Sequence, residues 1–275
     1  MPLKGGFYED AKKRMIALSL GGGAARGLSN VGILKELEKN FGKEKMPFDM
    51  MVGSSIGGLV GAAYCLGVPV QDIEDAALKV SSSRLVDFSL NSTGLLKGEK
   101  LEKIISKMLD GKGFNDFQIP FAVTTTDIET GEELVHTSGN LVRIVRASCS
   151  WPGFFSSTEI DGRLLADGGI RNSVPTKAAY AMGATFVVAT NPGFSISDEK
   201  IDNVFKALVQ SIQIMGEELN EYQAGIANVV IKPELKNIHQ FDFDRARYIM
   251  ARGEDAAREC MKELKRKLWF HTLTG

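Results

Sequence analysis

Two glycine-rich turns constrain the fold of this chain more than any other feature of its sequence. The first, GGGAARG, spans residues 21–27 and follows an apolar run over 15–20. The second, GSSIG, spans residues 53–57 and follows an apolar run over 48–52. Each turn opens a helix-like apolar pattern. In sheets of parallel strands such turns lie at the carboxyl ends of the strands, so we expect both turns to meet at one site.

The second turn fits the pattern G-x-S-x-G, in which a serine lies on a sharp bend between a strand and a helix. The flanking glycines remove Cβ atoms that would clash there. The helix after the turn is predicted to stop at Gly67 and Pro69. Ser55 is therefore the candidate nucleophile, and a purely structural glycine turn is the alternative, because the pattern also arises by chance.

The first turn presents backbone amides at the start of a predicted helix, where amides and the helix dipole favour negative charge. Amides in this arrangement can bind either of two groups: a nucleotide phosphate, or the oxyanion of an acyl-transfer reaction. The turn lacks the Gly-Lys-Ser/Thr ending of a P-loop, and Ala24 stands where G-x-G-x-x-G requires glycine. Paired with a serine turn, it favours an oxyanion-binding loop.

Ser55 needs a general base, and the chain holds three histidines. His136 lies in a predicted exposed hairpin, His239 in a polar loop and His271 in the C-terminal tail. A Ser-His-Asp triad through His239 or His271 stays an alternative. Asp167, on a glycine turn after an apolar run, is the favoured base. Since the ordinary pKa of aspartate is about 3.9, it must contact the hydroxyl in a poorly solvated site.

The chain resembles the bacterial patatin-like phospholipases, of the group that includes the neuropathy-target-esterase-type lysophospholipases. Four blocks carry this resemblance in order: the loop 21–27, the turn 53–57, the segment ASCSWPGFF at 147–155, and the turn 167–169 with Asn172 and Pro175. The resemblance covers residues 15–235. It implies a three-layer α/β fold whose central, mostly parallel sheet is sandwiched by helices.

The resemblance also implies a serine-dependent lipid acyl hydrolase that works through an acyl-enzyme. Ser55 would be the nucleophile and Asp167 its base, a dyad rather than a triad. The backbone amides of Gly22, Gly23 and Ala24 would form the oxyanion hole. No metal or organic cofactor is implied.

Four further side chains are implied in substrate binding. Arg26 would lie near a negatively charged head group or steady the loop. Trp151, at a position where the family usually has an aliphatic residue, would shape the acyl pocket with Phe154 and Phe155. The substrate is a lipid or fatty-acyl ester, and phospholipid, lysophospholipid, acylglycerol and thioester all stay open.

The rest of the sequence alternates between helix and strand patterns, as in a single α/β domain over residues 1–275 with a C-terminal helical extension over 240–270. The predicted helices are 98–109, one that starts at 141, and 201–226; the predicted strands are 120–126, 133–137, 185–190 and 228–232.

Composition narrows the function further. A formal net charge of −1 argues against a nucleic-acid partner. Three separated cysteines fit a reducing cytoplasm, and the polar N-terminus does not look like a signal peptide. A non-catalytic lipid- or nucleotide-binding regulatory protein stays the alternative to an enzyme.

Two segments are candidates for lipid contact. Residues 81–96 mix polar turns with apolar side chains, as a flap over an acyl groove would, although an ordinary surface loop has the same composition. Residues 262–270 combine cations with an aromatic end, which predicts peripheral contact with an anionic membrane.

Overall fold

A computed structural model describes residues 14–81, 88–91, 94–194, 196 and 200–274. The strands of these residues are β1 Ile16–Leu20, β2 Met50–Ser54, β3 Phe88–Asn91, β4 Gly94–Leu96, β5 Phe121–Asp127, β6 Glu133–His136, β7 Gly153–Phe155, β8 Thr158–Ile160, β9 Arg163–Asp167, β10 Phe186–Thr190 and β11 Val229–Ile231. The helices are α1 Ser29–Phe41, α2 Ile56–Cys65, α3 Val70–Ala77, α4 Glu99–Leu109, α5 Leu141–Ser148, α6 Gly169–Asn172, α7 Thr176–Ala181, α8 Val204–Gly225 and α9 Ala246–Thr274.

The main sheet has the strand order β11-β10-β1-β2-β5-β9-β8, with β6 also paired to β5. Its first five strands run parallel. Strands β6, β8 and β9 pair antiparallel at the other end. Strands β3, β4 and β7 form a separate small sheet. The predicted mostly parallel α/β sheet is confirmed, and the antiparallel edge is a feature that helix–strand alternation did not predict.

Helices cover both faces of the main sheet because successive side chains of its strands point to opposite sides. Leu18 and Met51 join a core that includes side chains of α1, α2 and α9. Their neighbours Ala17 and Met50 join a second core with side chains of α7. These two cores are the contacts between layers of the predicted three-layer fold.

The pairing of β5 decides where the catalytic candidates lie. Ser54 at the end of β2 is opposite Thr124. The next residue, Thr125, is opposite Asp167 at the end of β9. Strand β6 pairs with one edge of β5. Strands β2 and β9 therefore pair with the opposite edge, one after the other along β5. The chain thus brings Asp167 next to the turn that follows Ser54.

The C-terminal helix packs tightly on α1, although the sequence suggested an extension. A Cβ atom at Gly32 would overlap the carbonyl oxygen of Met250, and one at Gly253 would overlap that of Ser29. The two backbones therefore touch where each helix has a glycine. No helix in the described part of the chain is long and apolar enough to cross a membrane.

Most predicted elements lie within a few residues of the observed ones. The hairpin predicted around His136 is present as the antiparallel pair of β5 and β6, but His136 is half-buried rather than exposed, and its Nε2 lies 2.7 Å from Oγ1 of Thr125. The predicted flap at 81–96 lies largely outside the described residues, which include only Ser81 and strands β3 and β4 of that segment.

The close contact of α1 and α9 predicts that Gly32→Ala lowers the free energy of unfolding by about 1 to 3 kcal/mol, because the added methyl must separate two packed backbones. Gly225→Ala is the matched helical control, since no atom lies within 4 Å of its Cβ position. Chemical denaturation of both variants measures the difference. Equal losses in the two variants would contradict the contact.

Candidate active site

Ser55 lies on a strained turn between β2 and α2. Its backbone is left-handed, with φ 54° and ψ −130°, which is uncommon for a residue with a Cβ. The glycines around it are required by close approach: a Cβ at Gly53 would lie 2.5 Å from the carbonyl oxygen of Gly57, and one at Gly57 would overlap that of Leu20. The geometry is that of the strand-turn-helix bend that G-x-S-x-G predicts.

A buried serine holds the turn from behind. The backbone amide of Ser55 donates to Oγ of Ser148 at 2.8 Å, and that hydroxyl donates to the carbonyl of Thr124 at 2.7 Å. Ser148 is fully buried. The sequence showed Ser148 only as part of the segment 147–155, and no local signal assigned it this contact.

Ser55 and Asp167 form a direct hydrogen bond. The hydroxyl of Ser55 donates to Oδ2 of Asp167 at 2.7 Å, and the amide of Gly169 donates to Oδ1 at 2.7 Å. Burial raises the pKa of Asp167 to about 7, although the bonds from Ser55 and Gly169 partly oppose the shift. A carboxylate with a pKa near neutral is a far better base than an exposed one.

The histidines are held elsewhere. His136 contacts Thr125, and the ring of His271 lies 5.0 Å from that of Phe186. His239 is exposed in its loop. None of the three lines the cavity that contains Ser55. The side chains of Asp167 and Cys149 contact Ser55, and of these the Asp167 carboxylate is the one that can act as a base, so the geometry favours a dyad over a triad.

The glycine loop offers two amides beside Ser55. The amide of Gly22 donates to the carbonyl of Ser173 at 2.9 Å, and that of Ala25 to the carbonyl of Gln240 at 2.9 Å. Gly23 and Ala24 lie between these two residues in the chain, and their amides have no acceptor among the described residues. Of the three expected oxyanion donors, the amide of Gly22 is thus already bonded to Ser173, whereas those of Gly23 and Ala24 are available.

Arg26 steadies this loop rather than facing a head group. Its guanidinium donates to the carbonyls of Pro192, Gly193, Leu235 and Ile238 at 2.8 to 3.0 Å, and it is buried. Burial lowers the pKa of Arg26 to about 10, so the group stays charged at neutral pH. Of its two expected roles, these contacts match the second.

Asn30 and Thr190 hold the start of the loop. The side chain of Asn30 donates to the carbonyl of Gly21 at 2.9 Å, and the amide of Gly21 donates to Oγ1 of Thr190 at 2.9 Å. Oγ1 of Thr190 in turn donates to Asn30 at 2.6 Å. Neither residue could be identified from local sequence patterns, because their contacts join segments far apart in the chain.

An apolar cavity of about 310 Å³ opens beside the dyad. Trp151, Phe154 and Phe155 line it, as expected of them, and Phe154 packs on Phe241 with 4.6 Å between ring centroids. The wall continues through apolar side chains of α2, α3 and α4, namely Leu59, Val60, Ile73, Ala77, Leu101, Ile104 and Met108. A space of this size and lining suits an alkyl chain.

Buried Arg146 fixes the aromatic wall and was not identified from the sequence. Its guanidinium donates to the carbonyls of Lys97, Gly98 and Ser156 at 2.6 to 3.3 Å. These contacts tie α5 to the segments around β4 and β7, which carry Leu96 and Phe155 of the cavity lining. Arg146 therefore holds this part of the cavity wall through hydrogen bonds to backbone carbonyls.

Cys149 is a second nucleophilic side chain in the cavity lining. Burial and, to a smaller extent, the charge of Asp167 raise the pKa of its thiol well above the ordinary range. A thiol must ionise to react, so Cys149 is kept inert while Ser55 is bonded to a base. Among the described residues no cluster of three or more His, Cys, Asp or Glu side chains could hold a metal ion.

Comparison with known proteins identifies the family. The family profile described as patatin-like phospholipase matches residues 18–180, more than half of the chain. The chain belongs to the patatin-like phospholipase family. This match includes the glycine loop, the turn at Ser55 and the turn at Asp167.

Several patatin-like relatives are similar over most of this chain. Neuropathy target esterase sws of Drosophila melanogaster is 33% identical over 186 residues, which cover 65% of this chain and 13% of that protein. Patatin-like phospholipase domain-containing protein 7 of Rattus norvegicus is 35% identical over 188 residues, covering 65% of this chain and 14% of that protein. The chain thus spans only a small part of the relatives it matches.

A solved structure shares the patatin-like fold. VipD from Legionella pneumophila superposes with a TM-score of 0.59 at 12% identity, over 92% of this chain and 67% of that one. At this identity the similarity shows the fold alone.

The pKa of Asp167 predicts that its charge destabilises the folded protein at neutral pH. The folded pKa of Asp167, about 7, exceeds the unfolded value of 3.8. The contribution of Asp167 to the free energy of unfolding is therefore most favourable below pH 3.8, where the group is protonated in both states, and it is lost as pH rises through 7. Asp167→Asn should therefore raise the free energy of unfolding at pH 8, by up to about 4 kcal/mol. Denaturation at pH 8 and pH 4 measures it, and a gain equal at both would contradict the shift.

Proposed function

We propose that this protein is a serine-dependent acyl hydrolase of lipid esters, of the phospholipase A, lysophospholipase or carboxylesterase type. The observation that carries the proposal is the 2.7 Å hydrogen bond from Ser55 to Asp167 at the wall of an apolar cavity. A buried carboxylate and a strained backbone both lower the stability of the folded protein. Such features cluster at catalytic sites, and this supports a catalytic role for Ser55 and Asp167.

In the proposed reaction Ser55 attacks the ester carbonyl while Asp167 takes the hydroxyl proton. The negative charge that develops on the carbonyl oxygen is stabilised by the amides of Gly23 and Ala24. The carboxyl group of Asp167 then returns its proton to the leaving alcohol, and an acyl-enzyme remains on Ser55. Asp167 next accepts a proton from the water that attacks the acyl group, and it returns this proton to the Ser55 oxygen as the acyl–serine bond breaks and the fatty acid is released.

The proposed substrate is an ester with a long apolar acyl chain. The cavity wall is almost entirely apolar, and burying each methylene contributes about 0.8 kcal/mol. A relative that is 30% identical over 207 residues, lysophospholipase NTE1 of Pyricularia oryzae, is named for the hydrolysis of such lipid esters. The matched segment is 13% of that protein. The predicted cytoplasmic location and peripheral membrane contact stay predictions.

The test of the dyad is labelling with a fluorophosphonate probe, followed by peptide mass spectrometry. We expect the adduct on Ser55, and we expect Ser55→Ala and Asp167→Asn each to lower ester hydrolysis by about 10³-fold or more. Because Asp167 must be ionised to accept a proton, kcat/KM should fall about tenfold per pH unit below pH 7.

His239→Ala and His271→Ala are the controls for this experiment, and both should keep activity and labelling. Loss of labelling in either would favour the Ser-His-Asp triad instead. A folded protein that binds lipid yet neither labels nor hydrolyses esters would favour a non-catalytic binding role.

A further inference from the structure

Two buried glutamines form an incomplete hydrogen-bonded pair in the wall of the cavity. Nε2 of Gln213, on α8, donates to Oε1 of Gln240 at 2.5 Å. The pair leaves Oε1 of Gln213 and Nε2 of Gln240 without a partner among the described residues. Each side chain is only 7% exposed. If both amides were flipped, one acceptor and one donor would still be left over.

This pair lies beside the glycine loop. Both glutamines line the same cavity as Ser55 and Ala24. The backbone carbonyl of Gln240 accepts from the amide of Ala25, the residue next to the available donor of Ala24. The glutamine pair therefore lies in the wall of the same cavity and adjoins the glycine loop through the backbone of Gln240.

Charge in the cavity argues against an anionic ligand for this pair. Among the described lining residues Asp167 alone bears an ionisable group with a pKa below 8, and no cation lines the wall. The guanidinium of Arg26 is occupied by four carbonyls outside the lining. A phosphate would find no counter-charge beside the glutamines, whereas a neutral hydroxyl can donate to Gln213 and accept from Gln240.

We propose that Gln213 and Gln240 form a subsite for a free hydroxyl of the substrate alcohol, as in a monoacylated glycerol unit. The proposal rests on the proposed function for the identity of the ligand, and it names the feature that would select among esters. A site built to bond a hydroxyl discriminates strongly against an analogue that lacks it, because the buried amides are then left unpaired.

Binding of two ethers tests the subsite without any need for hydrolysis. Isothermal titration of 1-O-octylglycerol and octyl propyl ether should give wild-type Kd values that favour the glyceryl ether at least tenfold. In the double variant Gln213→Leu with Gln240→Leu this preference should fall below threefold. Replacing both partners by apolar groups of similar shape generally preserves folding, and a thermal melt checks this.

Asn220→Leu is the matched control. Asn220 lies on the same helix, is 1% exposed and has both amide atoms unpartnered among the described residues, but it does not line the cavity. It should keep the wild-type preference. A wild-type protein without preference, or a double variant that keeps it, overturns the subsite; absent Ser55 labelling would instead count against the proposed function.

The outer face of α8 carries a separate observation. Its inward side chains include Gln213, Asn220 and Gln223, all at most 7% exposed. Its outward side chains form one apolar stripe at spacings of three and four residues: Val204, Leu208, Ile212, Met215, Leu219 and Tyr222, exposed by 78, 60, 41, 64, 37 and 64%. A helix of a soluble monomer normally shows the reverse arrangement.

We infer that this α8 stripe docks on the surface of a neutral phospholipid bilayer. The helix carries no charged side chain over residues 207–216, so its outer face suits uncharged lipid. The same helix contributes Val209 and Gln213 to the cavity lining from its inward side, so the stripe and the substrate cavity lie on opposite sides of one helix. This inference rests on the proposed function, because a lipid ester must reach the cavity from a lipid surface.

Co-sedimentation with phosphatidylcholine vesicles tests the docking in a Ser55→Ala background, which leaves the lipid intact. The double variant Leu208→Ser with Met215→Ser should lower the partition coefficient of the protein between vesicles and buffer at least tenfold. Trp269→Ser with Phe270→Ser is the matched control on α9, since these residues are 57 and 50% exposed. The control should stay within twofold, although that segment was the sequence's candidate for contact with an anionic membrane.

Three results would overturn the α8 docking: unchanged partition of the Leu208 and Met215 variant, no vesicle binding by the parent, or a parent that is a dimer and becomes a monomer in the variant. The last would assign the stripe to a second copy of the chain. Because partition is measured without turnover, none of these results depends on whether the protein hydrolyses esters.

Discussion

The left-handed backbone at Ser55 is the constraint on which the rest of the site depends. It requires glycine at positions 53 and 57, because each faces backbone at a distance that a Cβ cannot tolerate. Gly57 abuts the carbonyl of Leu20, the last residue of β1 before the glycine loop. The contact that permits the strained turn therefore also sets the distance between Ser55 and the glycine loop, so the two turns form one structural unit.

The second requirement is a base beside that turn, and the change in strand direction along β5 supplies it. Parallel pairing with β2 ends at Ser54, and antiparallel pairing with β9 begins at Asp167 on the next residue of β5. The carboxylate lies at 2% exposure, where its charge opposes folding at neutral pH. Stability given up at a reactive site is a common feature of enzymes, and the large apolar core on both faces of the sheet offsets it.

The sequence predicted what depends on local patterns and missed what depends on distant partners. Ser55 and Asp167 were found because each lies on a glycine turn after an apolar strand. The use of the Gly22 amide by Ser173, and the four carbonyls around Arg26, could not be found, because no local pattern shows which carbonyl a distant segment presents. The antiparallel β9 was missed for the same reason, since strand direction is a property of pairing.

Helix α8 shows a further limit of periodicity. Its helical span was predicted within three residues at each end, yet its apolar stripe faces outward and its glutamines inward. A half-turn rotation would bury Leu208 and Met215 and expose Gln213, which burial alone would favour. The free-energy cost of the observed orientation of α8 must therefore be offset on both faces of the helix, by partners for the buried amides and by cover for the exposed apolar side chains. A hydroxyl-bearing ester in the cavity would satisfy the amide of Gln213, and a lipid surface would cover the outer stripe, so a lipid substrate at a bilayer would compensate for the orientation of both groups of side chains.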